Sequence, residues 1–197
     1  MEKIRTKKFA RIIGWLFHPF WVAPLAFALI IYLDGNNLPG AIGWALLSLL
    51  LLTGPVLIFL LRKLSKKQLT DFDVSHREQR AGVFVFGTSS IFAGFLALWK
   101  LGAPDVTLHM LVATLITLPI FALVTKFITK ISIHSGAMAG VTVVVAFYSW
   151  AWAFVWLGFT LLVMWSRVVI KRHTLSQVIS GAGVAGCIFF ATMLARN

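Results

Sequence analysis

Stretches of about 20 consecutive, mostly apolar residues recur along this chain, the length an α-helix needs to cross a hydrocarbon core of about 30 Å. They stand at 12–33, 41–61, 81–99, 106–126 and 174–194. No soluble core of this size can hide so much apolar surface: of 197 residues, 59% are hydrophobic and 12% charged. A further run from Ser135 to Trp165 is 31 residues long. As one helix it would measure about 46 Å, too long for a single span without extreme tilt. Split near Ser149-Trp150-Ala151-Trp152, where paired tryptophans suit the interfacial belt, it makes two short helices of about 15 residues each. The expectation is an all-α, polytopic membrane helical bundle of about seven transmembrane helices, or six if 135–165 is one span, in a single integral membrane domain over 1–197. The basic opening at 1–11 lacks a clear small-residue cleavage site before the first apolar stretch, so that stretch reads as a retained anchor. His18-Pro19 inside it is expected to kink it, since proline removes a backbone donor and crowds the preceding turn.

The formal charge is +12, from 18 Lys and Arg against 6 Asp and Glu. In a soluble protein that excess points to nucleic acid; on a membrane bundle it reports topology, and no nucleic-acid partner is expected. Threaded through seven spans, sixteen of the eighteen cations fall on one side, with only Lys100 and Arg196 on the other. Setting aside Arg77, Arg80, Lys130 and Arg167 as functional candidates leaves twelve against two. The N-terminus and the basic face are therefore expected to be cytoplasmic, with the lipid bilayer as the principal partner. The cations at 62–67 read as positive-inside anchors that also attract anionic headgroups. The lone Cys187 excludes an internal disulfide framework and reads as a small apolar helix residue. Gly136, Ala137, Ala139 and Gly140, and later Gly181, Ala182, Gly183 and Gly186, read as close helix packing.

The unusual polar residues concentrate on the basic side in three segments: 71–80, which holds Asp71, Asp73, His76, Arg77 and Arg80; 130–136, with Lys130, Ser132 and His134; and 166–177, with Ser166, Arg167, His173 and Gln177. Even numbers of spans separate them, so they are expected to converge at one membrane face. Ser166-Arg167, five residues, then His173 resembles the SR-x5-H core of the type 2 phosphatidic acid phosphatase superfamily, integral membrane enzymes that hydrolyse lipid phosphates and diphosphates through a phosphohistidine. The family's aspartate four residues later is Gln177 here. The second segment is similar to the family's PSGH motif, with Ser132 and His134 on its serine and histidine and Ile131 and Ile133 in place of its proline and glycine. Of the first motif, K-x6-RP, Arg80 is kept, Ala81 replaces the proline and Asp73 the lysine; Arg77, three residues before Arg80, lies on the same face of a helix. The resemblance implies a phosphatase-like core over about 71–194.

The chemistry asks for these residue types. A neutral imidazole, His173, is a suitable nucleophile toward an anionic phosphorus centre. Guanidinium groups clamp the equatorial oxygens of a transferring phosphoryl group, a role for Arg167 and Arg80 assisted by Lys130, Arg77 and the Ser132 hydroxyl. By the resemblance, His134 supplies the leaving group's proton. Gln177 can accept a hydrogen bond from His173 and fix its tautomer but offers no negative charge. Three outcomes follow for such a site: slower turnover, a surrogate carboxylate from Asp71 or Asp73, or binding without hydrolysis. His76, Asp71, Asp73 and His134 are an alternative divalent-metal set, but their spacing matches no helix-borne metal motif, and neither metal nor cofactor is expected. A prenyl transferase using magnesium would want clustered Asp-rich motifs in two loops, and one sparse pair is present. His18 and His109 read as packed or solvated residues. The expected function is hydrolysis of an amphiphilic phosphate, a lipid phosphate or polyprenyl diphosphate; the alternative is an inactive relative that binds, transports or assembles.

Overall fold

A computed structural model describes residues 2–196. The described residues are all-helical in class, with no strand: α1 (Glu2–Leu16), α2 (Pro19–Leu33), α3 (Leu38–Ser48), α4 (Gly54–Ser65), α5 (Arg80–Lys100), α6 (Asp105–Phe127), α7 (Ile133–Ala146), α8 (Trp150–Val169) and α9 (Leu175–Leu194), joined by short turns and loops. Contacts gather these into two compact units, one of Met1–Ala26 with Lys130–Asn197, the other of Phe27–Thr129.

Five helical stretches are long and apolar enough to cross a membrane, Leu38–Ser65, Arg77–Lys100, Asp105–Phe127, Trp150–Val169 and Leu175–Leu194, and the bent pair α1–α2 makes a sixth. Their large apolar side chains face outward: Val85, Phe92 and Trp99 on α5, and Trp150 and Phe154 on α8, are exposed, whereas Arg80, His134, Arg167 and His173 are buried. Such an arrangement suits lipid outside and polar chemistry inside, and describes a multi-pass helical membrane protein. The 135–165 run divides where the tryptophans stand. Helix α7 ends at Ala146, and Ser149 caps α8 by accepting the Trp152 N–H at 3.4 Å. The two halves are unequal, however: α8 has 20 residues and continues past Trp165 to Val169, so Ser166 and Arg167 belong to its last turn. With 14 residues, α7 covers only about 21 Å, short of a full span, and is the one apolar segment of the expected seven that length does not support.

In the first unit α7 packs against α8 and α9, and α1 against α8. Ile13, Val22, Met138 and Val163 form its buried centre, edged by Phe17, Trp156 and Leu162. The basic opening is not a loop but the first turns of α1, which continues to Leu16; at Pro19, which has no N–H to donate, the chain turns by 51° into α2.

In the second unit α3 and α4 join through a π-helical turn, Leu49–Thr53, closed by the Gly54 N–H on the Leu49 carbonyl. Pro55 explains it: its ring would strike the carbonyl of Leu51 in a regular α-helix, and widening the turn relieves the clash. Helix α5 passes this turn at Gly94, where a Cβ would meet the Leu52 side chain and lie 3.3 Å from the Leu51 carbonyl oxygen.

Candidate functional site

The third sequence segment owes its geometry to the way α8 stops. Lys171 adopts a left-handed backbone, φ 59°. Around it the Arg172 N–H bonds the Arg167 carbonyl at 3.0 Å and the Lys171 N–H bonds the Val168 carbonyl at 3.0 Å, the paired bonds of a Schellman ending. The His173 N–H also reaches the Arg167 carbonyl, at 3.2 Å. The five residues between Arg167 and His173 are thus the remainder of one helical turn and its reversal, which returns the imidazole to the level of the guanidinium's own backbone. Thr174 then caps α9. Its hydroxyl accepts the Gln177 N–H at 3.3 Å, while Gln177 Oε1 accepts the Thr174 N–H at 3.2 Å, a reciprocal capping box.

That box settles which way the Gln177 amide faces. A backbone N–H can only donate, so the atom beside Thr174 is the amide oxygen, and the same oxygen lies 3.2 Å from His173 Nδ1. The Lys130 carbonyl lies 3.2 Å from that nitrogen as well. Facing two acceptors, Nδ1 carries the proton, and in the neutral ring the lone pair is on Nε2.

The second segment is bound to the third through backbone. Ser132 donates its N–H to the Gln177 carbonyl at 3.3 Å, and Gly181 on α9 sits so close that a Cβ there would lie 2.5 Å from the Ser132 carbonyl oxygen. Ser132, fully buried, caps α7 by accepting the Ser135 N–H at 3.4 Å. Of the small residues read as packing points, Gly140 and Gly181 are such points, whereas a Cβ on Gly183 would meet nothing within 4 Å. His134, the second residue of α7, lies with Nε2 3.5 Å from Arg167 Nη1, at the long end of hydrogen bonding. A guanidinium has no acceptor, so His134 Nε2 accepts and the neutral ring carries its proton on Nδ1. Arg167 is 3% exposed, His134 7% and His173 8%.

Two residues outside the three segments reach this cluster. His18, at the α1–α2 bend, is buried, and its ring meets that of His134 edge to face, with centroids 4.7 Å apart and planes at 89°. Its Nδ1 accepts the Phe20 N–H at 3.3 Å, which makes it the cap of α2. Gly14, four residues earlier and near the end of α1, faces the Arg167 guanidinium so closely that a Cβ would collide with Nη2 and lie 2.7 Å from Cζ. From the sequence alone His18 reads as packed or solvated, and Gly14 carries no signal of its own. The helix break at Pro19 was the available signal.

The first segment belongs to the second unit, where its arginines are tied to backbone carbonyls. Arg77 donates from Nε to the Thr125 carbonyl and from Nη2 to the Lys126 carbonyl at 2.7 Å, joining the start of α5 to the end of α6. Arg80, 4% exposed, donates from Nε to the Val74 carbonyl at 2.9 Å. Val74 itself has φ 48°, an uncommon conformation for a β-branched residue. Asp71 Oδ1 braces the same loop, accepting the Asp73 N–H at 3.0 Å and the Ser75 hydroxyl at 2.9 Å. His76 is exposed.

Fold and site together define a multi-pass helical membrane protein with a buried His/Arg cluster between α1, α7, α8 and the start of α9. Comparison with protein-family models, with curated proteins and with solved structures gives no match.

Proposed function

We propose that this chain is an integral membrane phosphatase of the type 2 phosphatidic acid phosphatase kind, hydrolysing a lipid phosphate or polyprenyl diphosphate through a phosphohistidine at His173. One observation carries the reading: His173 Nδ1 faces two carbonyl-type oxygens, Lys130 O and Gln177 Oε1, each at 3.2 Å, so the nucleophilic lone pair is on Nε2. In the reaction, Nε2 attacks phosphorus as the bond to the leaving oxygen breaks, giving a phosphohistidine and an alcohol or phosphate; water then opens the N–P bond and releases inorganic phosphate. Arg167, buried, offers its guanidinium to the charge that spreads over the equatorial oxygens. His134, beside it, exchanges a proton with the leaving group. Gln177 keeps the tautomer without stabilising the imidazolium, which makes this a slow member of the class. The one-sided distribution of Lys and Arg supports a cytoplasmic N-terminus and a site that meets headgroups at the cytoplasmic face.

A second reading, a binding or assembly protein that keeps the anion pocket without turnover, is favoured by the neutral Gln177 amide where the chemistry benefits from a carboxylate. Phosphate release from a panel of lipid phosphates and diphosphates in detergent, with EDTA, separates the two. Turnover in the wild type that is lost in His173→Ala supports the phosphatase. Turnover that survives in His173→Ala overturns the phosphohistidine, and phosphate binding without release from any substrate favours the binding protein.

A further inference from the structure

We infer that the α1–α2 bend is a third wall of the proposed phosphate site, in which Gly14 and His18 are positioning residues: Gly14 makes room for the Arg167 guanidinium, and His18 sets the plane of the His134 ring. The inference rests on the reading of Arg167 and His134 as anion-binding groups.

Two independent contacts support it. Gly14 lies in the last turn of α1 and His18 in the bend that follows it, and both meet residues of the cluster. Arg167 leaves α8 inside the first unit and crosses to α1 exactly at a residue without a side chain; any other residue there would displace the head group, because the colliding atoms are the guanidinium itself. The purpose of the close approach is geometric. A guanidinium whose end is packed against a backbone keeps few rotamers, so less freedom is lost when it engages two phosphate oxygens.

His18 has a structural task, capping α2 through Nδ1, and a second one that capping does not require. Its ring lies edge to face with His134, whose Nε2 is the atom beside Arg167. An edge-to-face contact at 4.7 Å favours this ring orientation over others, which keeps that nitrogen beside the arginine. The 51° bend is what brings a residue from the first helix this far inward.

The two tasks of His18 can be separated, since asparagine is an excellent helix cap with no ring. The measurement is equilibrium binding of inorganic phosphate to the full chain in detergent, with thermal unfolding as the check on folding. The set comprises wild type, Arg167→Ala, Gly14→Ala, the Gly14→Ala/Arg167→Ala double variant, His18→Asn, and Gly158→Ala, a control position on α8 where a Cβ meets nothing within 4 Å. Arg167→Ala is expected to weaken binding roughly tenfold to a hundredfold, as loss of a charge-assisted hydrogen bond should. Gly14→Ala is expected to weaken it by about tenfold or more and to add nothing in the Arg167→Ala background. His18→Asn is expected to keep the unfolding temperature and lose at least about threefold in affinity. Wild-type affinity in either Gly14→Ala or His18→Asn, with Arg167→Ala still weakened, overturns the third wall alone. Additive effects of Gly14→Ala and Arg167→Ala overturn it too. Phosphate binding indifferent to Arg167→Ala overturns the phosphatase reading and the wall with it.

Discussion

Replacing Gln177 by glutamate keeps the side-chain length, the capping-box partner and the position of one oxygen, and adds a single negative charge 3.2 Å from His173 Nδ1. Glutamate and glutamine serve equally at this position of a capping box, so α9 starts as before, and the helix dipole favours the acid by about 0.3–1 kcal/mol. In the proposed mechanism imidazolium character develops on His173 as the N–P bond forms. A neutral hydrogen bond to a ring N–H is worth about 1 kcal/mol net and one involving a charged group about 2–2.5, so the transition state gains roughly 1.4 kcal/mol, or about tenfold in rate. Gln177→Ala removes the bonds to Thr174 and His173 together, at a cost of about 2 kcal/mol of stability, and frees the ring to exchange tautomers. The assay is the initial rate of phosphate release from a short-chain lipid phosphate in detergent under substrate saturation, with the unfolding temperature recorded for each variant. The expected order of rates is Glu above Gln above Ala. A Gln177→Glu variant that folds as well as wild type and turns over no faster would refute the electrostatic argument, and a Gln177→Ala variant at wild-type rate would refute the tautomer argument.

Gly181→Ala places a Cβ 2.5 Å from the Ser132 carbonyl oxygen, so backbone must move and stability should fall by about 1–3 kcal/mol, whereas Gly183→Ala meets open space and should gain about 0.5–1 kcal/mol; thermal unfolding that ranks them the other way counts against the α7–α9 packing described. Arg80→Met strips the buried Val74 carbonyl of its donor, and a loss of about 1–3 kcal/mol should appear as faster proteolysis within 66–79. An unchanged cleavage rate would mean that the left-handed Val74 is held by Asp71 alone. Ser65→Cys in a Cys187→Ala background should resist a membrane-impermeant thiol reagent added to intact cells and react after permeabilisation; labelling from outside reverses the proposed orientation.

Much of the architecture was legible because it depends on local quantities. Helix length against bilayer thickness gave the spans, and the 31-residue run had to break where Ser149 and the tryptophans stand. The spacing from Arg167 to His173 was legible as a motif, though not as the Schellman ending that gives it physical meaning, since Lys171 carries no glycine signal for its left-handed backbone. Thr174-Leu175-Ser176-Gln177 is a capping-box pattern open to any reader of the sequence, and it accounts for Gln177 before catalysis is considered. The unequal division of 135–165 was not legible: hydropathy does not show that α8 carries Ser166 and Arg167 in its last turn, because a buried polar residue and a loop residue look alike one letter at a time. The backbone partners of Arg77 and Arg80 were not legible for a related reason. Charge alone marks them as anion ligands, and the carbonyls of Thr125, Lys126 and Val74 that they also serve are up to 49 residues away.

By itself the sequence determined that the chain is helical, that it is sized for a membrane, and that five residues separate Arg167 from His173, all matters of periods and lengths within a few residues. Only the tertiary structure decided that Lys130 enters the cluster through its carbonyl, that Gly14 must be bare, and that His18 is more than a kink. Those facts depend on atoms brought together across 43 residues for Lys130 and His173 and across more than a hundred for Gly14 and His18. Packing of α1 against α8, and of α7 against α8 and α9, puts a guanidinium on one backbone and an imidazole edge on another.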